Sequence, residues 1–253
     1  MDNNGIIIDN SVEPRRVPAA HGWTWIADAF RMFFKHWWQW LLLCAVMLVI
    51  LFGMLMIPVV GMLTPIIAPM LIAGIAWAAH ESRSQDRAPA LPDLFIALKA
   101  KTRTLISVGL LYMLGSFVVM AVLALLGKLM VSPEEIQAIH AAQTGGGPVP
   151  QLDSSGVVFV LLFVVGMLFM NSIYFFAPQL VILRNLKAVE AMRISYLAFW
   201  RNWLPMLVSG LILVLMAIVA SLPMMLGLIL LLPVTILFNY TCYADVFGDH
   251  PQH

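Results

Sequence analysis

Basic side chains that stand beside aromatic and aliphatic residues are the feature of this sequence best suited to chemistry. A Lys or Arg at the edge of an apolar helix can extend its charge to a lipid phosphate, and each such residue contributes about 1 kcal/mol beside an anionic leaflet. The candidate contacts for lipid head groups are Arg31, Lys35, Lys99, Lys101, Arg103, Arg193 and Arg201. The alternative is that these charges only anchor the protein and set its orientation.

Three side-chain amides lie within long apolar stretches, where an unpaired polar group is costly. They are Asn171, Gln179 and Asn239. Each is expected to make a hydrogen bond between helices, worth about 0.5–2 kcal/mol. The alternative is that the three amides line the water-filled cavity of a carrier.

Residues for catalysis or metal binding do not form a recognisable pattern. No two of the histidines form the closely spaced pair of a helical metal site, and nucleophile-elbow, metalloprotease and dinucleotide motifs are absent. The middle of each predicted span lacks ionisable residues, which argues against ion-coupled transport. We therefore predict a protein that is not an enzyme and has no cofactor, metal or nucleic-acid partner. An enzyme whose active site assembles from distant segments stays an open alternative.

The composition predicts that these residues are positioned by helices in a membrane. Of 253 residues, 62% are hydrophobic and only 11% are charged, against about half and about a quarter in soluble domains. A helix needs about 20 residues to cross a bilayer. The stretches without charge predict an all-α domain over residues 22–247 with six transmembrane helices, at about 38–57, 60–79, 105–126, 157–181, 204–222 and 224–243.

The distribution of positive charge predicts the orientation of these spans. In the six-span arrangement every Lys and Arg lies on one side except Lys128, which belongs to the loop 128–156 on the other side. Basic loops remain in the cytoplasm. Both termini are therefore predicted to be cytoplasmic, with a flexible N-terminal segment over residues 1–21 and a tail over residues 248–253.

An amphipathic helix is predicted to lie at the membrane surface ahead of the first span. Trp23, Ile26, Phe30, Phe33 and Phe34 recur at helical spacing and form a face suited to lipid. The charged residues of the same segment fall on the opposite face, which suits water.

Two later segments, 92–103 and 187–203, look like this opening helix. Alignment of residues 35–37 with residues 201–203 gives an offset of 166, and the middle copy fits at 65 or 66. The pattern predicts three units, each an amphipathic helix followed by a helical hairpin. The alternative is that any interfacial helix ahead of a span has this appearance.

Three aromatic motifs resemble those of an uncharacterised family of proteobacterial multi-pass inner-membrane proteins. The motifs are Gly22-Trp-x-Trp with Phe30-Arg31, Ala191 with Arg201-Asn202-Trp203, and Tyr240-x-x-Tyr243-x-Asp245-Val-Phe247-Gly. The resemblance implies a six-span bundle in a bacterial inner membrane and supplies no activity. The layout also resembles the membrane domain of some glycerophosphodiester phosphodiesterases, but the chain has no room for their soluble catalytic domain.

These observations predict a non-enzymatic inner-membrane protein that acts as a scaffold or an envelope-maintenance factor. Its expected partners are anionic lipids on the cytoplasmic side, with a membrane protein or a second copy of the chain left open. The alternative is a carrier or flippase for a lipid or small amphiphile, moving through a bundle kinked at Pro58, Pro178, Pro205 and Pro233. A membrane enzyme is the third alternative.

Overall fold

The computed structural model describes residues 13–130, 154–222 and 224–248, together with four isolated positions between residues 131 and 153. Regular structure in these residues is entirely α-helical, so the predicted all-α class is confirmed. Most of the predicted loop 128–156 and of the tail lies outside the described residues. The helices with described bounds are α1 (His21–Lys35), α2 (Trp37–Leu55), α3 (Pro58–Gly61), α4 (Thr64–Ser84), α5 (Leu91–Leu94), α6 (Ile96–Ala100), α7 (Thr102–Met130), α8 (Ser154–Tyr174), α9 (Ala177–Arg184), α10 (Ala188–Arg201), α11 (Trp203–Ser221) and α12 (Leu226–Val246).

Five helical segments in the described part of the chain are long and apolar enough to cross a membrane. They are α2, α7, the successive helices α8 and α9, α11 and α12. Each corresponds to a predicted span, and the remaining predicted span, 60–79, falls on α4. With 21 residues α4 is long enough to cross a membrane. It differs from the other five because its composition is less apolar. Pro65, Pro69, His80 and Glu81 all lie within it.

The composition of α4 is explained by its neighbours. This helix packs against α2, α5, α6, α9 and α12. Its buried residues include Ala73, Gly74, Ala76, Ala78 and Ala79, and such small residues let helices approach closely. A helix enclosed by protein does not need the bulky aliphatic surface of a helix enclosed by lipid.

Three amphipathic segments each end at a single non-helical residue that is followed at once by a long helix. His36 separates α1 from α2 with φ −139° and ψ 48°, Lys101 separates α6 from α7 with φ −137° and ψ 24°, and Asn202 separates α10 from α11 with φ −116° and ψ 30°. We call these three residues the elbows. His36 and Lys101 are 65 positions apart, which selects the first of the two offsets open for the middle copy.

Helix α1 packs on α11 and α12. Trp25, Ile26 and Phe33 are each 1% exposed, because α12 covers this face of α1. The expectation that Ile26 and Phe33 face lipid is therefore wrong. Trp23 and Phe34 stay exposed, at 58% and 63%, and they agree with that expectation.

Two glycines allow amphipathic helices to approach their neighbours closely. A Cβ on Gly22 would lie 2.5 Å from the main-chain oxygen of Pro205 in α11, and a Cβ on Gly74 would overlap the main chain of Leu94 in α5. Leu94 itself is fully buried. The second amphipathic segment thus resembles α1 in packing an apolar side chain against a long helix.

The described residues divide into two compact units. The first, residues 1–109 and 173–253, holds an aromatic core that includes Trp25, Trp40, Tyr240 and Tyr243. The second, Leu110–Ser172, is a pair of helical segments in which Gly127 adjoins Phe159 and Gly115 adjoins Met170. These contacts show that the two segments run antiparallel.

Candidate functional site

A polar cavity of about 250 Å³ lies in the first unit, between α1, the last turn of α4 and α12. Charged residues reach it from α1 at helical spacing and from α4 where that helix ends. Its lining consists of Asp28, Arg31, Met32, Lys35, Ser82, Arg83, Asp86 and Thr241. The cavity therefore holds three basic and two acidic side chains beside a methionine and two hydroxyls.

Two of the three cations in the polar cavity are neutralised by carboxylates of the same cavity. Arg31 donates to Asp28 over 2.8 Å, one turn away on α1, and the Lys35 ammonium pairs with Asp86. The hydrogen bond from Lys35 holds the pKa of Asp86 below its ordinary value of 3.8. Both ion pairs are solvent-exposed, and such pairs contribute little to stability.

Arg83 is the cation in the polar cavity for which the described residues supply no ion pair. Its guanidinium therefore accounts for the cavity's net charge of +1, and it is half-buried. A guanidinium can donate two parallel hydrogen bonds to one phosphate. The Arg83 guanidinium therefore suits a single phosphate group.

The loop after α4 is held in place by a second arginine. Arg87 donates to both carboxylate oxygens of Asp93, over 2.9 and 3.0 Å, and its Nε lies 3.6 Å from Glu81. The hydrogen bond to Asp93 raises the pKa of Arg87 above its ordinary value. This clamp fixes both ends of the short loop that carries Asp86, a residue in the left-handed conformation with φ 53°.

Asp245, near the end of α12, joins α1 to α12 through one carboxylate oxygen. Trp25 Nε1 donates to Oδ2 over 2.7 Å, and His21 Nδ1 lies 2.6 Å from the same atom. The Arg15 guanidinium donates to the main-chain oxygen of Asp245 over 2.6 Å. The hydroxyl of Thr241, one turn earlier, donates to the main-chain oxygen of Trp25 over 2.8 Å.

The elbow residue Asn202 holds the chain ahead of α1. Its Oδ1 accepts from the main-chain N–H of Val17 and its Nδ2 donates to the main-chain oxygen of Arg15, both over 2.9 Å. The N–H of Arg15 in turn donates to the oxygen of Val246 over 2.8 Å. Residues 15–17, which the sequence places in a flexible segment, therefore bridge the start of α11 and the end of α12.

The structure brings together two of the seven predicted head-group contacts. Arg31 and Lys35 line the polar cavity, while Lys99, Arg103, Arg193 and Arg201 are exposed elsewhere and do not line it. Lys101 donates instead to Asn185, a residue in the left-handed conformation that ends α9.

Sequence reasoning missed Arg83 and Asp245. Arg83 has no aromatic neighbours in the chain, and only the folded structure brings it next to α1. Asp245 could have been singled out as a carboxylate inside an aromatic motif at the end of an apolar helix, where a lone charge needs partners. Its actual partners, Trp25 and His21, lie more than 200 positions away.

Two of the three predicted intramembrane amides, Gln179 and Asn239, contact each other beside the main-chain oxygen of Phe175, and the third lies apart from them. Gln179 is buried, and with its amide nitrogen facing the break between α8 and α9 it donates to the main-chain oxygens of Phe176 and Phe175, over 3.0 and 3.1 Å. Asn239 Nδ2 lies 3.5 Å from the oxygen of Phe175. Asn171 is exposed on α8. None of the three lines a cavity described here.

Two apolar cavities flank the first half of α12. One, the α11–α12 cavity, has a volume of about 370 Å³ and lies between α11, α12 and Phe30. The other, the α2–α12 cavity, has a volume of about 460 Å³. Its lining is Trp38, Leu41, Leu42, Cys44, Ala45, Leu48, Leu228, Ile229, Leu232 and Pro233. The second half of α12 is buried in the core of the first unit.

Among the described residues, no group of three or more His, Cys, Asp or Glu side chains could hold a metal ion. The arrangement is thus able to bind a negatively charged group in the polar cavity and apolar groups beside α12.

Comparison of the chain with family models, with curated proteins and with solved structures found no match.

Proposed function

We propose that this chain is a non-enzymatic, multi-pass protein of a bacterial inner membrane that binds an anionic lipid head group on its cytoplasmic side. It acts there as a scaffold or envelope-maintenance factor, through lipids and through partner proteins or further copies of itself. The observation that carries the proposal is the polar cavity, in which Arg83 supplies the net positive charge. The aromatic motifs that resemble a family of inner-membrane proteins support the location.

Long-range contacts support a six-span topology with three helical hairpins. Lys35, just before α2, pairs with Asp86, just after α4. Lys101, just before α7, bonds to Asn185, just after α9. We call each stretch from one elbow to the end of the next long helix pair an excursion; these two are α2 to α4 and α7 to α9. Each excursion starts and ends at the same place, as it must if the chain crosses the membrane twice.

The last excursion behaves in the same way. Asn202 before α11 and Val246 at the end of α12 both bond to the main chain of Arg15. An even number of crossings in each of the three excursions requires α4 to be a span. With the basic loops on the cytoplasmic side, the polar cavity faces the cytoplasmic leaflet.

The surroundings of the amides favour the scaffold over the carrier. A carrier needs polar groups that are free to contact its cargo, whereas Gln179 uses its amide nitrogen on the main-chain oxygens of Phe175 and Phe176, between α8 and α9. Pro178 lies in the first turn of α9. The amide thus donates to the main chain at a helix break beside a proline, as expected of membrane helices.

Native mass spectrometry tests the head-group site. The protein is released from membranes in a gentle detergent and mixed with either an anionic or a zwitterionic phospholipid. We expect Arg83→Gln to lower retention of the anionic lipid by about tenfold, the factor that corresponds to one charge-assisted hydrogen bond. Arg16→Gln removes an exposed cation outside the cavity and should not change retention. Equal retention by wild type and Arg83→Gln would contradict the site.

A further inference from the structure

The α2–α12 cavity is a groove that is open to the outside and has no charged side chains; Trp38, Leu42 and Ile229 in its lining are 62%, 44% and 59% exposed. Its ten lining residues are apolar apart from the indole of Trp38 and the thiol of Cys44, and they come from α2 and α12 alone. Both helices are long and apolar enough to cross a membrane. The volume of about 460 Å³ lies in the range of pockets that hold small ligands.

Water is not the expected content of this cavity. An ordered water needs about two to four polar partners, which the aliphatic lining does not offer. The open side of the cavity faces outward from two helices that are apolar enough to cross a membrane. In a membrane, the acyl chains of lipids are the apolar groups that meet such a surface.

The α2–α12 cavity and the polar cavity lie close enough together to hold the apolar part and the charged part of one amphiphile. Lys35 lines the polar cavity and Trp38 lines the α2–α12 cavity. Because these residues are three positions apart, their Cα atoms cannot be separated by more than about 11 Å. The elbow at His36 thus sets a charged site and an apolar site within the length of one lipid molecule.

We infer that the α2–α12 cavity holds an acyl chain of the same lipid whose phosphate lies at Arg83 in the polar cavity. This inference rests on the proposed function and deepens it, since it names a membrane phospholipid with one chain ordered between α2 and α12. A freely diffusing phosphate compound at Arg83 would make no use of the α2–α12 cavity, so its retention would not depend on Ala45.

Filling the cavity tests the inference. Ala45→Trp places an indole into the α2–α12 cavity, and Val49→Trp, one turn later, adds the same group at a position that is 72% exposed and outside the lining. We expect Ala45→Trp to lower phospholipid retention in native mass spectrometry by about tenfold, and Val49→Trp to leave it unchanged. A loss with Arg83→Gln but none with Ala45→Trp would overturn the acyl-chain site while leaving the proposed function intact.

A second measurement does not depend on the folding of a variant. Wild-type protein in vesicles that contain a phospholipid with a photoactivatable diazirine on its acyl chain is irradiated, digested and mapped by mass spectrometry. We expect cross-links within residues 38–48 and 228–233. Cross-links spread evenly over the exposed helices would overturn the inference. A dimer without bound lipid in native mass spectrometry would also overturn it, since a second copy would then be the occupant.

Discussion

The ammonium of Lys35 forms an ion pair with the carboxylate of Asp86, although 51 positions separate the two residues. The contact brings the start of α2 beside the loop that follows α4. Lys35 also bounds the polar cavity and stands three positions before the first residue of the α2–α12 cavity. One side chain thus belongs both to the contact that supports the proposed first hairpin and to the proposed lipid site.

The Lys35–Asp86 contact predicts a pH dependence. Because the pKa of Asp86 is held below 3.8 in the folded protein, the pair stabilises the fold above that pH, and its contribution is lost as the pH falls through the lowered pKa. Lys35→Gln should return the pKa of Asp86 toward 3.8, as measured by carboxyl carbon NMR of labelled protein. Arg31→Gln is the control, and an equal rise with both variants would exclude a specific role for Lys35.

We expect Asp245 to be the acidic residue of the described chain whose substitution lowers the free energy of unfolding most. In Asp245→Ala the buried indole N–H of Trp25 loses its acceptor, and an unsatisfied buried donor costs about 1–3 kcal/mol. We expect the free energy of unfolding in detergent to fall by about 2–3 kcal/mol. Glu190→Gln, at an exposed position of α10, should change it by less than about 0.5 kcal/mol. Similar stabilities for the two variants would show that Trp25 finds another partner.

A matched pair of glycines tests the close approach of α5 to α4. A Cβ at position 74 would overlap the main chain of Leu94, whereas a Cβ on Gly53 in α2 would meet no atom within 4 Å. We expect Gly74→Ala to lower the free energy of unfolding by about 1–3 kcal/mol. Gly53→Ala should be neutral or should stabilise the protein by up to about 1 kcal/mol through helix propensity. A thermal melt of both variants decides, and a neutral Gly74→Ala would contradict the packing.

Local patterns predicted the helices well because their causes are local. Long apolar runs mark α2, α7, α11 and α12. The alignment of residues 35–37 with 201–203 pairs His36 with Asn202, and these two residues have similar backbone angles in the structure.

Long-range partners were not predictable in this way. Apolar residues at helical spacing on α1 suit lipid and protein equally, and only the position of α12 decides that Ile26 and Phe33 are covered. The same limit applies to the site. The spacing of Arg31 and Lys35 is visible in the sequence. Arg83 lies about 50 positions away in the chain, and only the fold brings it to the same cavity.

In the proposed topology, three excursions leave one cytoplasmic surface and return to it. Single cysteines in a variant without native cysteines test it by labelling of intact cells with a membrane-impermeant thiol reagent. We expect labelling of Met62→Cys and Met224→Cys, at the far ends of the first and last hairpins, and none of Gln85→Cys or Gly248→Cys until the membrane is opened. If Gln85→Cys and Met62→Cys behaved alike in intact cells, α4 would not be a span. If Gln85→Cys were labelled and Met62→Cys protected, the orientation would be inverted. Either result would contradict the proposed topology.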